Sequence, residues 1–379
     1  MKKLLVITIL VFAAFIILIS ETYAQTIYAC VNNRSGTMRN VSGPGVCKHN
    51  EHQISWDMHG TPGPKGDKGD KGDQGIPGPE GPEGPPGLGF NPQQVALLRW
   101  YGANQTGNQF SVGVNPIGIA FDGANIWVAN LNSNSVTKLR ASDGANLGNF
   151  PVNIGPIGVA FDGANIWVAN QNSANVTKLR GSDGANLGSF PVGNLPQGVG
   201  FDGANIWVAN WGSNNVTKLR ASDGDNLGTF AVGSNPRWIA FDGANIWVTS
   251  YGGGIVTKLR ASDGANLGNF AAGTHPVAVA FDGANIWVAN FGSNTVTELR
   301  ASDGANLGTF AVGSSPQGIA FDGANIWVTN QTSNNVTKLR ASDGANLGTF
   351  AVGINPWGIV FDGGNIWVAN EGSNSLSKL

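Results

Sequence analysis

Cysteine, histidine and methionine are nearly absent from this chain, with 2, 4 and 3 residues in 379. So few sulfur and imidazole ligands argue against a zinc scaffold. Charge is scarce too, at 12% of residues against about 25% in an ordinary soluble domain. The 22 Lys+Arg and 24 Asp+Glu leave a net charge of −2, and without a basic run there is no electrostatic pull toward nucleic acid. Long apolar runs are missing apart from Leu4 to Ile19, broken only by Thr8. Preceded by Met1-Lys2-Lys3 and followed by the small-residue site Thr22-Tyr23-Ala24, this run reads as an export signal over residues 1–24, with the mature chain starting at Gln25. The alternative, an uncleaved anchor, needs about 20 apolar residues, slightly more than are present. A lipid-modified Cys30 fits less well, because Tyr28 suits a lipoprotein cleavage box poorly. The expectation is a secreted or cell-surface protein with no transmembrane domain in its mature chain.

What the chain has in excess is glycine, 56 residues, together with 18 Pro and 12 Trp, and the excess is organised. In residues 25–59, Cys30 and Cys47 read as a disulfide closing a small loop rather than a redox pair or metal site, given export. The segment from Ile27 to Trp56 resembles a short cap found before collagen-like tracts in bacterial secreted proteins. From Gly60 to Gly87 glycine recurs at every third position with prolines between, the pattern of a collagen triple helix, in which only Gly fits at the axis. Residues 60–89 are therefore expected to form a stalk and to associate the chain as a homotrimer, the alternative being a monomeric Pro/Gly linker. Lys65, Lys68 and Lys71, each two residues before Asp67, Asp70 and Asp73, suit ion pairs between staggered chains. Residues 90–107 form a neck or linker.

From residue 108 the chain repeats. Phe121-Asp122-Gly123-Ala124-Asn125-Ile126-Trp127-Val128 returns at Phe161, Phe201, Phe241, Phe281 and Phe321, and at Phe361 with Gly364 for Ala, always 40 residues apart. A repeat of this length with several short strands indicates a propeller blade. One unit contains four strands, Gly118 to Phe121, Asn125 to Ala129, Val136 to Arg140 and Asn149 to Val152, separated by Asp-Gly and Asn-Ser turns. The fold class is all-β, a seven-bladed β-propeller over residues 108–379. The last unit stops at its third strand, whereas Phe110 and Val112 precede Phe150 and Val152 by one repeat. The N-terminal strand is therefore expected to complete the last blade.

At Trp127-Val128-Ala129-Asn130, followed by Ser-Asn-Xaa-Val-Thr-Lys-Leu, the sequence resembles the YVTN-type propellers and the streptogramin B (virginiamycin B) lyase-like family. The resemblance implies that the strand after the Pro-Xaa-Gly turn is innermost and lines a central channel. It also implies a His general acid or base, with a metal held by His and Glu. The repeats offer only His275, Glu298 and Glu371.

A four-stranded meander sorts its loops onto two faces. The a–b and c–d loops are nearly identical in every copy, whereas the other face is diversified. Its b–c position carries Leu131, Gln171, Trp211, Tyr251, Phe291, Gln331 and Glu371. The residue after the d–a proline is Ile117, Ile157, Gln197, Arg237, Val277, Gln317 or Trp357. Exposed aromatics give large contact area at low entropy cost. Trp211, Tyr251, Phe291, Trp357 and the adjacent Trp238 are thus candidate anchors, with Arg237, His275 and Glu371 as polar contacts; drift on a solvated rim is the competing reading. The Trp127 ring is expected to pack between blades, the Asp122 ring to bond local backbone rather than calcium, and the Lys138/Arg140 pair to be solvated. No catalytic constellation and no cofactor is indicated. The expectation is an adhesin-like binding module for a carbohydrate or surface protein, the alternatives being a metal-dependent lyase-like enzyme and a structural surface or matrix protein.

Overall fold

The computed structural model describes residues 26–32, 38–41, 47–57 and 109–379. The expected export signal, stalk and neck lie outside the described residues. The chain divides into two units. In the first, β1 (Thr26–Asn32) pairs antiparallel with β2 (Met38–Val41) and β3 (Glu51–Asp57), and a Cys30–Cys47 disulfide is present.

The second unit is a seven-bladed propeller. After the short β4 (Gln109–Ser111), the first blade is β5 (Pro116–Phe121), β6 (Asn125–Asn130), β7 (Ser135–Arg140) and β8 (Asn146–Pro151), hydrogen-bonded in that order. The same meander recurs in every blade, and the innermost strands touch around the whole ring, Pro356–Phe361 returning to β5. The outer strand starts three residues earlier than its hydrophobic pattern suggests. Leu139 already pairs with Asn146 across a bulge at Lys138 and Leu139, and Gly148 takes up the irregularity at φ 147°. Closure follows the expectation. The last blade's third strand, Ser375–Lys378, pairs with β4 through Ser375↔Ser111, Leu376↔Phe110 and Ser377↔Gln109, and Phe110 packs 5.1 Å from Trp367.

The core lies between blades. Trp127, fully buried, packs with Val159, Ile166, Val168 and Leu179 of the next blade, and Phe150 lies 5.5 Å from its ring. Burying an indole requires a partner for its N–H. Here Trp127 Nε1 donates to Asp122 Oδ2 at 2.7 Å, while Oδ1 accepts from the amides of Ala124 and Asn125 at 2.9 and 2.6 Å. The carboxylate thus closes the a–b turn and anchors the tryptophan with one group. On the outer side Phe150 fills the space beside Gly184 of the next blade, where φ is 75° and any Cβ would collide with the ring.

The third-strand lysines, except half-buried Lys338, are buried rather than solvated, contrary to their charge pattern. Lys138 is 6% exposed; its Nζ lies 4.8 Å from the Trp127 ring centroid and donates to the carbonyls of Gly181 and Ser182 in the next blade at 2.8 and 3.1 Å. Lys378 closes the ring in the same way, donating to Ala141 O at 3.0 Å. An alternating strand predicts an outward side chain here, but a long lysine lies along the indole and ends on orphan carbonyls of the neighbouring turn. Arg140, by contrast, is exposed, as expected, and pairs with Asp143 at 2.8 Å.

One blade breaks the pattern with Glu298. Burial, together with the nearby Asp282 charge, raises its pKa, and the hydrogen bond from Asn285 only partly offsets this. Replacing Glu298 with Lys should restore the contacts to the Trp287 ring and the next blade's carbonyls. Thermal denaturation at pH 7 should show a gain of about 1 kcal/mol, or about 2–4 °C; an unchanged or lower melting point would contradict this account of the lysine. Deleting residues 105–113 removes β4 and exposes Trp367 and Leu376. The loss should be at least about 3–5 kcal/mol in a denaturant titration, and wild-type stability would rule out closure by β4.

Candidate functional site

The diversified face is built by two loop sets held together by backbone bonds. In all seven blades the b–c residue donates its amide to the pre-proline carbonyl of the d–a loop: Leu131 to Asn115 at 2.9 Å, Gln171 to Gly155 at 2.8 Å, Trp211 to Leu195 at 3.1 Å, Tyr251 to Asn235 at 3.1 Å, Phe291 to His275 at 3.0 Å, Gln331 to Ser315 at 2.9 Å and Glu371 to Asn355 at 3.0 Å. Those carbonyls sit on left-handed residues. Asn115, Asn235, Asn355 and His275 are residue types that tolerate φ near 55°, whereas Leu195 (52°) and Ser315 (58°) stand in a region that such side chains seldom adopt. Between blades, the turn asparagine of one copy fixes the next loop, as in Asn134 Oδ1 accepting from the Gly155 amide at 2.9 Å. The face is a rigid ring with variable side chains mounted on it.

These side chains divide by position. The seven b–c residues are all half-buried on the face. The residues after the proline point instead into the channel mouth, and most are buried there: Ile117, Ile157, Gln197, Val277 and Gln317 are 7% exposed or less, and only Arg237 and Trp357 remain partly open. This differs from a uniformly exposed rim. Proline fixes φ and starts the innermost strand, so the next side chain turns inward to fill the narrowing ring. Trp238 takes a position that is glycine in five of the other copies. Its amide donates to Thr249 Oγ1 at 2.9 Å, and its ring packs half-buried against the cluster of Trp247, Val279 and Ile286.

The aromatic candidates come together in one sector. Trp211 and Tyr251 have ring centroids 5.2 Å apart, Tyr251 stacks on His275 at 4.3 Å and 8°, and Phe291 lies 6.4 Å from Tyr251. Arg237 joins them from the channel mouth, its guanidinium carbon 4.8, 5.7 and 5.9 Å from the rings of Trp357, Tyr251 and Trp211. Desolvation lowers the Arg237 pKa to about 10, only partly opposed by Tyr251, so the group stays cationic at neutral pH. On the other side of the mouth Gln317 Nε2 donates to Gln331 Oε1 at 2.9 Å, Gln331 Nε2 to Glu371 Oε2 at 3.3 Å, and Asn115 Nδ2 to Glu371 Oε1 at 3.4 Å. Leu131 and Gln171 stand apart from both groups. The Arg237–Trp357 contact and the glutamine relay escaped sequence reasoning, because they join residues 14 to 256 positions apart; the signal available was one cation in an otherwise neutral or apolar position.

The residues a lyase-like site would need are separated. His275 stacks on Tyr251, and Glu371 is held in the relay. Glu298 lies in Thr295–Arg300, bonded to Asn285 near the opposite, uniform face. Among the described residues no three His, Cys, Asp or Glu side chains form a group able to hold a metal ion. The Asp122-type carboxylates on the uniform face spend their oxygens on the turn amides and on indole N–H groups.

Fold and site together define a seven-bladed β-propeller of four-stranded blades with one diversified face. Among solved structures the chain is similar to Kuenenia stuttgartiensis hydrazine synthase, with a TM-score of 0.62 and 19% identity over 72% of this chain and 97% of that one. It is equally similar to a streptogramin B lyase, with a TM-score of 0.62 and 19% identity over 72% and 96%. At this identity the likeness concerns the fold. No family model and no curated protein matches the chain.

The aspartate turns set an acid limit. Burial pushes Asp122, Asp162, Asp202, Asp242 and Asp322 up, but the hydrogen bonds from Trp, Asn and backbone amides outweigh it and hold each below the usual carboxylate range. A carboxylate depressed in the folded state contributes stability above its unfolded pKa of about 3.9 and loses it as pH falls toward the folded value. Melting midpoints should therefore fall steeply below about pH 4. Asp202→Asn should lower the midpoint at pH 7 and flatten its acid dependence, whereas equal midpoints at pH 3 and pH 6 in the parent would contradict the assignment.

Proposed function

We propose that this chain is an exported or cell-surface, adhesin-like propeller that binds a carbohydrate or surface-protein ligand on its diversified face without chemistry. In this reading residues 60–89 form a trimeric stalk, and three propellers on one stalk turn weak contacts into avidity. The observation that carries the reading is the clustering of Trp211, Tyr251, His275 and Phe291 on three consecutive blades, with Arg237 reaching across the channel mouth to Trp357, while the opposite face repeats one sequence. Drift would scatter aromatics around the ring. Two further features support selection at this face: Leu195 holds a left-handed backbone that asparagine or glycine would adopt at less cost, and among the described residues Arg237 has no acidic partner.

A metal-dependent lyase-like enzyme is the second reading, favoured by the fold likeness to streptogramin B lyase and by a histidine at the channel rim. It requires metal-dependent turnover lost in His275→Ala. The two are separated by screening the purified mature protein on arrays of glycans and cell-surface proteins beside the Trp211→Ala/Trp357→Ala double variant. Binding lost by at least about tenfold in the variant is the expected result. Full retention would move the site off this face, and a blank array would favour a structural surface or matrix protein.

A further inference from the structure

At the channel mouth the face opens into a cavity of about 50 Å³ bordered by Arg237, Trp238, Gln317 and Trp357, with Ile319 and Ile359 as its apolar floor. That is room for a few waters or for a group of similar size. Three polar features there lack partners. The arginine ion pairs among the described residues are of the Arg140–Asp143 type, with Asp225 added at Arg220, on the uniform face, so among those residues the Arg237 guanidinium has cation–π contacts but no counter-charge. Trp357 Nε1, a donor, is buried without an acceptor, and Gln317 Oε1, an acceptor, is buried without a donor. Gln317 itself is only 7% exposed and is held by its amide nitrogen to Gln331, which fixes the orphan oxygen. Glu371, the acid of this rim, has both oxygens occupied by Asn115 and Gln331.

An unpaired buried donor or acceptor costs about 1–3 kcal/mol, and a partly desolvated cation without an anion adds to that cost. Water can solvate the open side of Arg237 but supplies no counter-charge. A carboxylate supplies the counter-charge, its planar oxygens matching the guanidinium fork, and the residues bordering the same cavity carry one unpaired donor, Trp357 Nε1, and one unpaired acceptor, Gln317 Oε1, for it and for a hydroxyl beside it. One guanidinium matches one negative charge. The rings of Trp211 and Tyr251, whose centroids lie 5.9 and 5.7 Å from the Arg237 guanidinium carbon, offer flat apolar surface beside the cation.

We propose that this cavity is a carboxylate subsite for an acidic sugar, such as a uronic or sialic acid, whose ring lies against Trp211 and Tyr251; the inference rests on the ligand-binding reading and narrows its ligand class. The test titrates the full chain with oligosaccharides ending in glucuronate or N-acetylneuraminate, with the same oligosaccharides after reduction of the carboxyl to an alcohol, and with a blocked tripeptide bearing a free C-terminal carboxylate. Calorimetry gives affinities, and thermal melts verify folding. The acidic sugars should bind at least about tenfold more tightly than their reduced forms. Arg237→Met should abolish that preference without lowering the melting point, and Trp357→Phe, which keeps the ring but not the N–H, should weaken it. Equal binding of acidic and reduced sugars, or a preference that survives Arg237→Met, overturns the subsite. Tighter binding of the peptide also overturns it, making this a peptide-carboxylate site. Array ligands that bind while every acidic sugar fails remove the subsite alone, whereas failure of every ligand removes the binding reading with it.

Discussion

Every blade depends on a tryptophan that must be buried and whose one polar atom must nevertheless be bonded. The indole of Trp127 and its equivalents supplies the packing between neighbouring blades, and its N–H reaches the aspartate of the same blade's first turn. That single requirement fixes several others. The aspartate must start a tight turn, so Gly123 and the amides of Ala124 and Asn125 follow. The lysine of the third strand covers the indole face and ends on the next blade's carbonyls. Phe150 covers the outer edge and restricts Gly184. The near-identity of seven copies on one face is the trace of this chain of dependencies, because no member can change without leaving a buried polar group or a void.

The other face carries no such dependency in its side chains. Its loops are held by backbone amides, by pre-proline carbonyls and by the turn asparagines, so what projects from them is free to vary. Variation has placed aromatics and a single cation in one sector and a glutamine–glutamate relay in another. Structure and proposed recognition are thus assigned to opposite edges of the same strands, and the channel mouth is where the two meet.

Most of the fold was legible in the sequence, because a 40-residue period with Asp-Gly turns leaves few alternatives, and the offset of Phe110 from Phe150 located the closing strand. The site was legible only in part. Variability along the chain identified which loops differ, but not that the residue after each proline turns inward, nor that Arg237, Trp357 and Tyr251 meet. Those contacts depend on the small radius of the inner ring, which brings blades distant in sequence together. Lys138 was misread for a related reason. Its partners are carbonyls, which no sequence pattern displays, and they belong to the next blade.

Closure through β4 also decides how the domain bears load. Gln109 and Leu379 lie at the same end of the last blade, and β4 runs from that end toward the diversified face. A pull on the chain ahead of Gln109, opposed by something held at that face, runs along the strand axis. The three pairs between β4 and Ser375–Lys378 then resist together in shear. A pull between Gln109 and Leu379 would instead open the same pairs one after another, so the ring is strong in the direction in which the proposed stalk and ligand would strain it and weak in the direction that separates its own ends.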